Sequence, residues 1–101
     1  MDIVKSVNNV PIRLTEERWS HIIENRDDLI VHYNDVLDCV ENPDYIIEGY
    51  MGALIGLKII RKDKFLAVVY KELNKKDGFI ITAYFSTKIK LEKEIVLWQK
   101  N

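Results

Sequence analysis

The stretch Asn74-Lys75-Lys76-Asp77-Gly78-Phe79-Ile80-Ile81-Thr82-Ala83-Tyr84-Phe85-Ser86-Thr87 joins a polar, glycine-bearing turn to a run of aromatic and β-branched residues. Asp and Gly supply the backbone freedom of a tight reversal, and Ile, Thr, Tyr and Phe fill a pleated strand well. Gly78 to Thr87 therefore reads as one long strand leaving a hairpin. Strict alternation would set Phe79, Ile81, Ala83 and Phe85 on one face and Ile80, Thr82, Tyr84 and Ser86 on the other. The second set carries the hydroxyls and is the expected functional face.

Working back from this strand, Tyr45 to Tyr50, Ala53 to Arg61 and Phe65 to Glu72 are similarly rich in Ile, Val, Tyr and Phe. They are separated only by Gly52 and by Lys62-Asp63-Lys64, turns too short for anything but antiparallel neighbours. A fifth strand is expected over Glu94 to Trp98, where Ile95-Val96-Leu97-Trp98 fits a strand, although Leu91, Ile95 and Trp98 also have helical spacing.

Upstream the period changes. Thr15 before Glu16-Glu17 is an N-cap followed by acids at the positive end of a helix dipole, so a helix from about Glu16 to Asn25 follows. Trp19, Ile22 and Ile23 share its apolar face, and Arg18, His21 and Asn25 an adjacent one. After Asp27-Asp28, apolar residues at spacings of three and four from Leu29 or Ile30 to Val40 predict a second helix, ended by Asn42-Pro43. Helices first and strands afterwards give an α+β domain: N-terminal helices packed on an antiparallel meander sheet of four or five strands. The sheet face away from the helices is expected to be free for a ligand.

With 101 residues and 48% hydrophobic content, residues 1–101 make a single domain with one core. No signal-peptide run is found in Met1 to Asn9 and nowhere do eighteen apolar residues run together, so a cytoplasmic protein without membrane partners is expected. Cys39 is the only cysteine, which rules out an intrachain disulfide and suits a small packing residue. The net charge of -1 hides an asymmetry: residues 1 to 50 hold 4 Lys/Arg against 11 Asp/Glu, residues 51 to 101 hold 11 against 5. Such a split gives a basic face for phosphate, an acidic face for a basic partner, or simply acidic helices and lysine-edged strands.

His21 and His32 form no metal-binding spacing, no glycine motif precedes a Lys-Ser/Thr, and no Gly-x-Ser-x-Gly elbow is present. The expectation is accordingly no metal and no cofactor. Imidazole, guanidinium, ammonium, phenol and hydroxyl groups remain, the inventory of metal-free RNA cleavage. There the ribose 2′-hydroxyl attacks its own phosphate, and the protein moves protons and stabilises charge on phosphoryl oxygens. His21 with Arg18 and Arg26 and the hydroxyls of Thr82 and Tyr84 are the candidate catalytic residues, and Arg61, Lys88 and Lys90 the candidate substrate-binding cations. The plain alternatives are a solvated histidine, a packed strand tyrosine and lysines that blunt strand ends. His32, sharing a helix face with Asp35 and Cys39, reads as structural.

Three segments together resemble the small phage and toxin nucleases of the barnase, EndoU, colicin and RelE superfamily: Arg13-Leu14-Thr15-Glu16-Glu17-Arg18-Trp19-Ser20-His21-Ile22-Ile23-Glu24-Asn25-Arg26, then Glu41-Asn42-Pro43-Asp44, then Ile80-Ile81-Thr82-Ala83-Tyr84-Phe85-Ser86-Thr87-Lys88. The resemblance spans about residues 12 to 90. It implies N-terminal helices on a four-stranded antiparallel sheet, RNA cut without metal, and a toxin held by a cognate antitoxin. The carry-over covers Arg18, His21, Arg26, Thr82 and Tyr84. Relatives often have Arg-His where this chain has Asn25-Arg26-Asp27, and a pI near 6.1 is low for an RNA binder. The alternative is a catalytically silent module on the same scaffold, holding a protein or RNA partner through the Lys58 to Lys64 and Lys71 to Lys76 turns. His21, an arginine and Tyr84 around one concave surface would favour the enzyme, and their scatter the module.

Overall fold

Thr15 has extended backbone (φ −83°, ψ 157°) and its Oγ1 accepts a hydrogen bond from the Arg18 N–H at 3.1 Å, the geometry of an N-cap. In the computed structural model, which describes residues 1–101, helix α1 accordingly spans Glu16–Glu24, with Asn25 as its C-cap. Ile22 is buried beneath it, and Trp19 and Ile23 pack at the margin of the core. The second helix differs from the continuous one expected. It starts as a 3₁₀ segment over Asp27–His32, in which the Leu29 N–H bonds the Arg26 carbonyl at 3.0 Å, and becomes helix α2 only at Tyr33–Glu41. The tighter turn buries Leu29 alone, while Ile30 and Val31 stay exposed. Asn42-Pro43 ends α2 as expected.

The sheet is larger than the sequence reading and is not wholly antiparallel. Its strands are β1 (Asp2–Lys5), β2 (Pro11–Leu14), β3 (Tyr45–Glu48), β4 (Leu54–Arg61), β5 (Lys64–Asn74), β6 (Asp77–Ser86) and β7 (Val96–Gln99). Their spatial order is β1-β2-β6-β5-β4-β3-β7. The expected meander is present as β3 to β6, with each strand antiparallel to the next. The expectation of four or five antiparallel strands fails at both ends. The N-terminal hairpin of β1 and β2 turns at Asn9 (φ 63°) and joins β6 in parallel through Ile12 opposite Gly78 and Arg13 opposite Phe79. At four residues each, these strands are too short to show a period of two. The fifth strand exists as β7, but it lies at the far edge beside β3.

A shift of register also overturns the expected alternation in β6. Val69 pairs with Thr82 and Tyr70 with Ile80, so Ile81 is one residue extra, a β-bulge. Ile80 therefore joins Ala83 and Phe85 against the helices, with Ile12, Leu14, Ile22, Leu29, Val36, Val40, Leu66, Val68 and Tyr70. Thr82 and Tyr84 keep the opposite face. That face is not open throughout: the segment from Thr87 to Ile95 carries the chain from β6 to β7, and Ile89 and Leu91 pack on Ile47, Leu57, Phe65 and Ala67. Burying each such large apolar side chain contributes about 1.5–3 kcal/mol. Cys39 is fully buried, and burial pushes its thiol up to about 12, so it packs as a small apolar group. No helix is long and apolar enough to cross a membrane.

Two substitutions with opposite expected signs test this packing. A Cβ on Gly78 would lie 2.5 Å from both Ile12 Cδ1 and the Lys71 carbonyl oxygen, so Gly78→Ala should cost about 1–3 kcal/mol in urea unfolding. The buried Tyr70 hydroxyl has no hydrogen-bond partner. Tyr70→Phe removes an uncompensated polar group and should leave stability unchanged or raise it by about 1 kcal/mol. A loss in the second variant as large as in the first would show that the Tyr70 hydroxyl is in fact satisfied.

Candidate functional site

The parallel pairing of β2 with β6 stops at Phe79, so from Thr82 to Ser86 the strand has a partner, β5, on one side only. Its other edge is bordered by the chain leaving α1. The Arg26 N–H bonds the Ile23 carbonyl at 3.1 Å, which turns the backbone out of the helix and sends the side chain toward β6. The Arg26 guanidinium donates from Nη1 to Thr82 Oγ1 at 3.4 Å and lies 5.8 Å from the centroid of the Tyr84 ring. All three residues are partly buried. Burial pushes the Tyr84 phenol above its ordinary value; the Arg26 guanidinium draws it partly back, and the Glu94 carboxylate adds to the upward push. Tyr84 is therefore a hydrogen-bond donor at neutral pH, not a base.

His21 and Arg18 are elsewhere. Both are exposed on α1, where with Thr15 and Glu17 they line a shallow depression. The His21 ring nitrogens lie 3.9 Å from Glu17 Oε1 and 3.9 Å from Glu24 Oε2. Tyr84 instead packs beside the apolar cluster of the other sheet face. The structure thus brings together Arg26, Thr82 and Tyr84, and separately Arg18 and His21, without joining the two groups. Arg61, Lys88 and Lys90 are exposed at one end of the sheet, because Arg61 pairs with Lys64, Phe65 pairs with Ser86, and Lys90 lies by Asp63 and Phe65. Tyr84 is two residues from that end. The three cations thus lie at the end of the sheet toward which β6 runs from Thr82 and Tyr84, Lys88 and Lys90 just past β6 and Arg61 on β4, two strands over.

A second constellation was read as structural from the sequence. His32 Nδ1 lies 2.8 Å from Asp35 Oδ2, and its ring meets Phe85 edge-on at a centroid distance of 5.1 Å. They line a groove of about 390 Å³ with Asp28, Asp38, Lys58, Ile60, Lys64 and Leu66. Lys58 is already engaged, with Asp38 Oδ2 at 3.7 Å and the Asn42 carbonyl at 2.8 Å. The sequence signal for the pair is the His32-x-x-Asp35 spacing; the groove needs β4 and β5 beside it and could not be read locally. No three side chains among His, Cys, Asp and Glu converge in a way that could hold a metal ion.

No family model, no curated protein and no solved structure matches this chain.

The Arg26–Tyr84 contact has a pH signature. The fold favours the neutral phenol, so Tyr84 contributes stability that is fully present below its unfolded pKa of 10.0 and is lost as pH rises through the higher folded value. Subtracting the near-ultraviolet titration of Tyr84→Phe from that of the parent should isolate a phenol ionising above 10.0, and Arg26→Ala should move it further up. A difference curve centred at or below that value would contradict the geometry.

Proposed function

We propose that this chain is a metal-independent endoribonuclease of the toxin kind, in which Arg26, Thr82 and Tyr84 meet the scissile phosphate. The observation that carries this reading is the convergence of a guanidinium, a hydroxyl and a phenol at the unpaired edge of β6, from residues distant in the chain. Thr82 fixes one arm of the Arg26 fork, leaving the remaining N–H groups for phosphoryl oxygens. Negative charge that builds up as the 2′-hydroxyl attacks is stabilised by that guanidinium in a partly desolvated place. Tyr84, held protonated, gives its proton to the departing 5′ oxygen. The proton of the 2′-hydroxyl passes to water, and the products are a 2′,3′-cyclic phosphate and a 5′-hydroxyl. Lys88, Lys90 and Arg61 hold the strand beyond the cut through its phosphates. Arg18 serves a flanking phosphate, and His21, between two carboxylates, takes no part in the proton transfers.

The toxin role, a cognate antitoxin and a cytoplasmic place belong to the same proposal and rest on the resemblance of the Arg13 to Arg26 and Ile80 to Lys88 segments. One observation favours the second reading, a catalytically silent RNA- or protein-binding module: the separation of His21 from Tyr84 leaves the phosphate group without an imidazole.

Incubating the purified protein with total RNA in EDTA, and mapping the ends, separates the two. The expected result is cleavage that survives EDTA and leaves cyclic phosphate ends. Arg26→Ala should lower the rate by about 10²–10³-fold and Tyr84→Phe by about 10²-fold, with folding retained, whereas His21→Ala should stay within a few-fold of the parent. RNA bound but never cut would establish the silent module. Cleavage abolished by EDTA and restored by a divalent ion would refute the mechanism.

A further inference from the structure

Phe79 belongs to neither apolar cluster, and it is partly exposed. Five positions separate it from Tyr84, so in a regular strand the two rings would point to opposite faces. The extra residue at Ile81 cancels that difference and sets both on the face away from the helices. Each ring has a guanidinium beside it: Arg26 at 5.8 Å from the Tyr84 centroid, Arg13 at 5.6 Å from that of Phe79. Across the sheet, Phe79 stands between Arg13 on β2 and Lys71 on β5. Where β2 parts from β6, Arg13, Thr15, Arg18, Phe79 and Ile80 line a depression of about 180 Å³. Arg13 is ion-paired with Asp77, whereas Arg18 is exposed and makes no ion pair. Three of the chain's four arginines thus border one edge of β6, which gathers there the side chain best suited to phosphates and to ring faces.

We propose that this depression is a base-stacking subsite for single-stranded RNA: Phe79 takes one nucleobase against its ring, and Arg18 takes the adjoining phosphate. The choice of RNA as the ligand rests on the catalytic reading above. With one of the five steps taken up by the bulge, Phe79 lies about 13 Å from Tyr84 along the strand. The base it holds is therefore not at the cut but farther along the same RNA. A ring with a cation beside it, occurring twice along one strand edge, matches a polymer whose own repeat is a planar ring and a phosphate. A single small anion would need only one such point. Lys88 and Lys90 lie past the opposite end of β6, so the RNA is held on both sides of the phosphate that Arg26 and Tyr84 meet. The subsite selects single strands, because in a duplex each base is already stacked on its neighbours and offers the Phe79 ring no free face. Stacking reads no base edge, so the subsite accepts any base.

Fluorescence anisotropy of the full chain with a labelled 2′-O-methyl RNA octamer tests the proposal, since this probe lacks the attacking hydroxyl and cannot be cut. The parent is expected to bind the single strand, and to bind the same sequence as a duplex at least about tenfold more weakly. Phe79→Leu, which keeps an apolar side chain but removes the ring, should weaken single-strand binding by about tenfold. Phe79→Trp should restore it, with a quenching of tryptophan fluorescence on binding that the parent lacks. Arg18→Gln should make the fall of log affinity with log salt shallower by about 0.7. Circular dichroism checks folding, and if Phe79→Leu is unfolded, Phe79→Trp and Arg18→Gln decide. A parent that ignores the probe or prefers the duplex overturns the proposal, as does binding indifferent to Phe79→Leu. Cleavage of RNA in EDTA by a protein whose probe binding ignores the Phe79 ring sinks this subsite alone. Probe binding through that ring without any cleavage supports the subsite and sinks the catalytic reading instead.

Discussion

The contact between Ile12 and Gly78 is the constraint on which the remaining architecture depends. At that point β2 lies parallel to β6, and the Ile12 side chain occupies the space where any Cβ on residue 78 would sit. This close approach seats the N-terminal hairpin on the sheet and places Ile12 and Leu14 in the main core beside α1 and α2. The hairpin is secured again farther along: Arg13 forms an ion pair with Asp77 and lies over the Phe79 ring, and Ser6 and Asn8 in the turn bond the Glu72 carboxylate. Its polar anchors surround one apolar close contact. The glycine is required for space, not for an unusual backbone angle.

The same junction positions the candidate site by ending early. Because β2 runs along β6 for only two residue pairs, the next part of β6 offers an unshared edge, and the chain emerging from α1 borders it. Arg26 can then leave the helix and reach Thr82 and Tyr84, which strand alternation sets on the face away from the core. The guanidinium depends on the helix end for its approach and on the strand for its anchor. Tyr84 depends on the apolar cluster behind its ring and on the crossover that brings Glu94 near its hydroxyl. Three secondary-structure elements and one long connection thus fix three side chains.

Much of this arrangement was legible in the order of residues. The Thr15 cap, the proline stop at Pro43 and the meander from β3 to β6 follow from local chemistry that the fold does not override. Arg26, Thr82 and Tyr84 were among the candidates because their functional groups suit a phosphate, and the fold does draw these three together. What could not be read depends on partners far away in sequence. The four-residue strands of the N-terminal hairpin are strands because β6 accepts them, and the destination of β7 follows from three intervening strands that the crossover must pass. His21 was grouped with Arg26 only by nearness in sequence, but on α1 its ring nitrogens lie by Glu17 and Glu24. Proximity along a helix is set by a period of 3.6, and Arg26 lies beyond the helix end, where that period no longer applies.

The extra residue at Ile81 gives β6 two reading frames. Before it, Ile80 answers to the helical core; after it, Ala83 and Phe85 do, while Thr82 and Tyr84 fall into the opposite phase. A strand of uniform phase could not bury Ile80 and Ala83 on the same side. The bulge therefore acts as a phase shifter, separating the part of the strand that locks the parallel junction from the part that presents the hydroxyls. Each part is free to vary in composition without forcing the other to change face. In evolutionary terms, point substitutions on either side are local events, but gain or loss of one residue between Ile80 and Thr82 would exchange core for surface along the rest of the strand. The spacing there is under a constraint that the identity of residue 81 itself need not share.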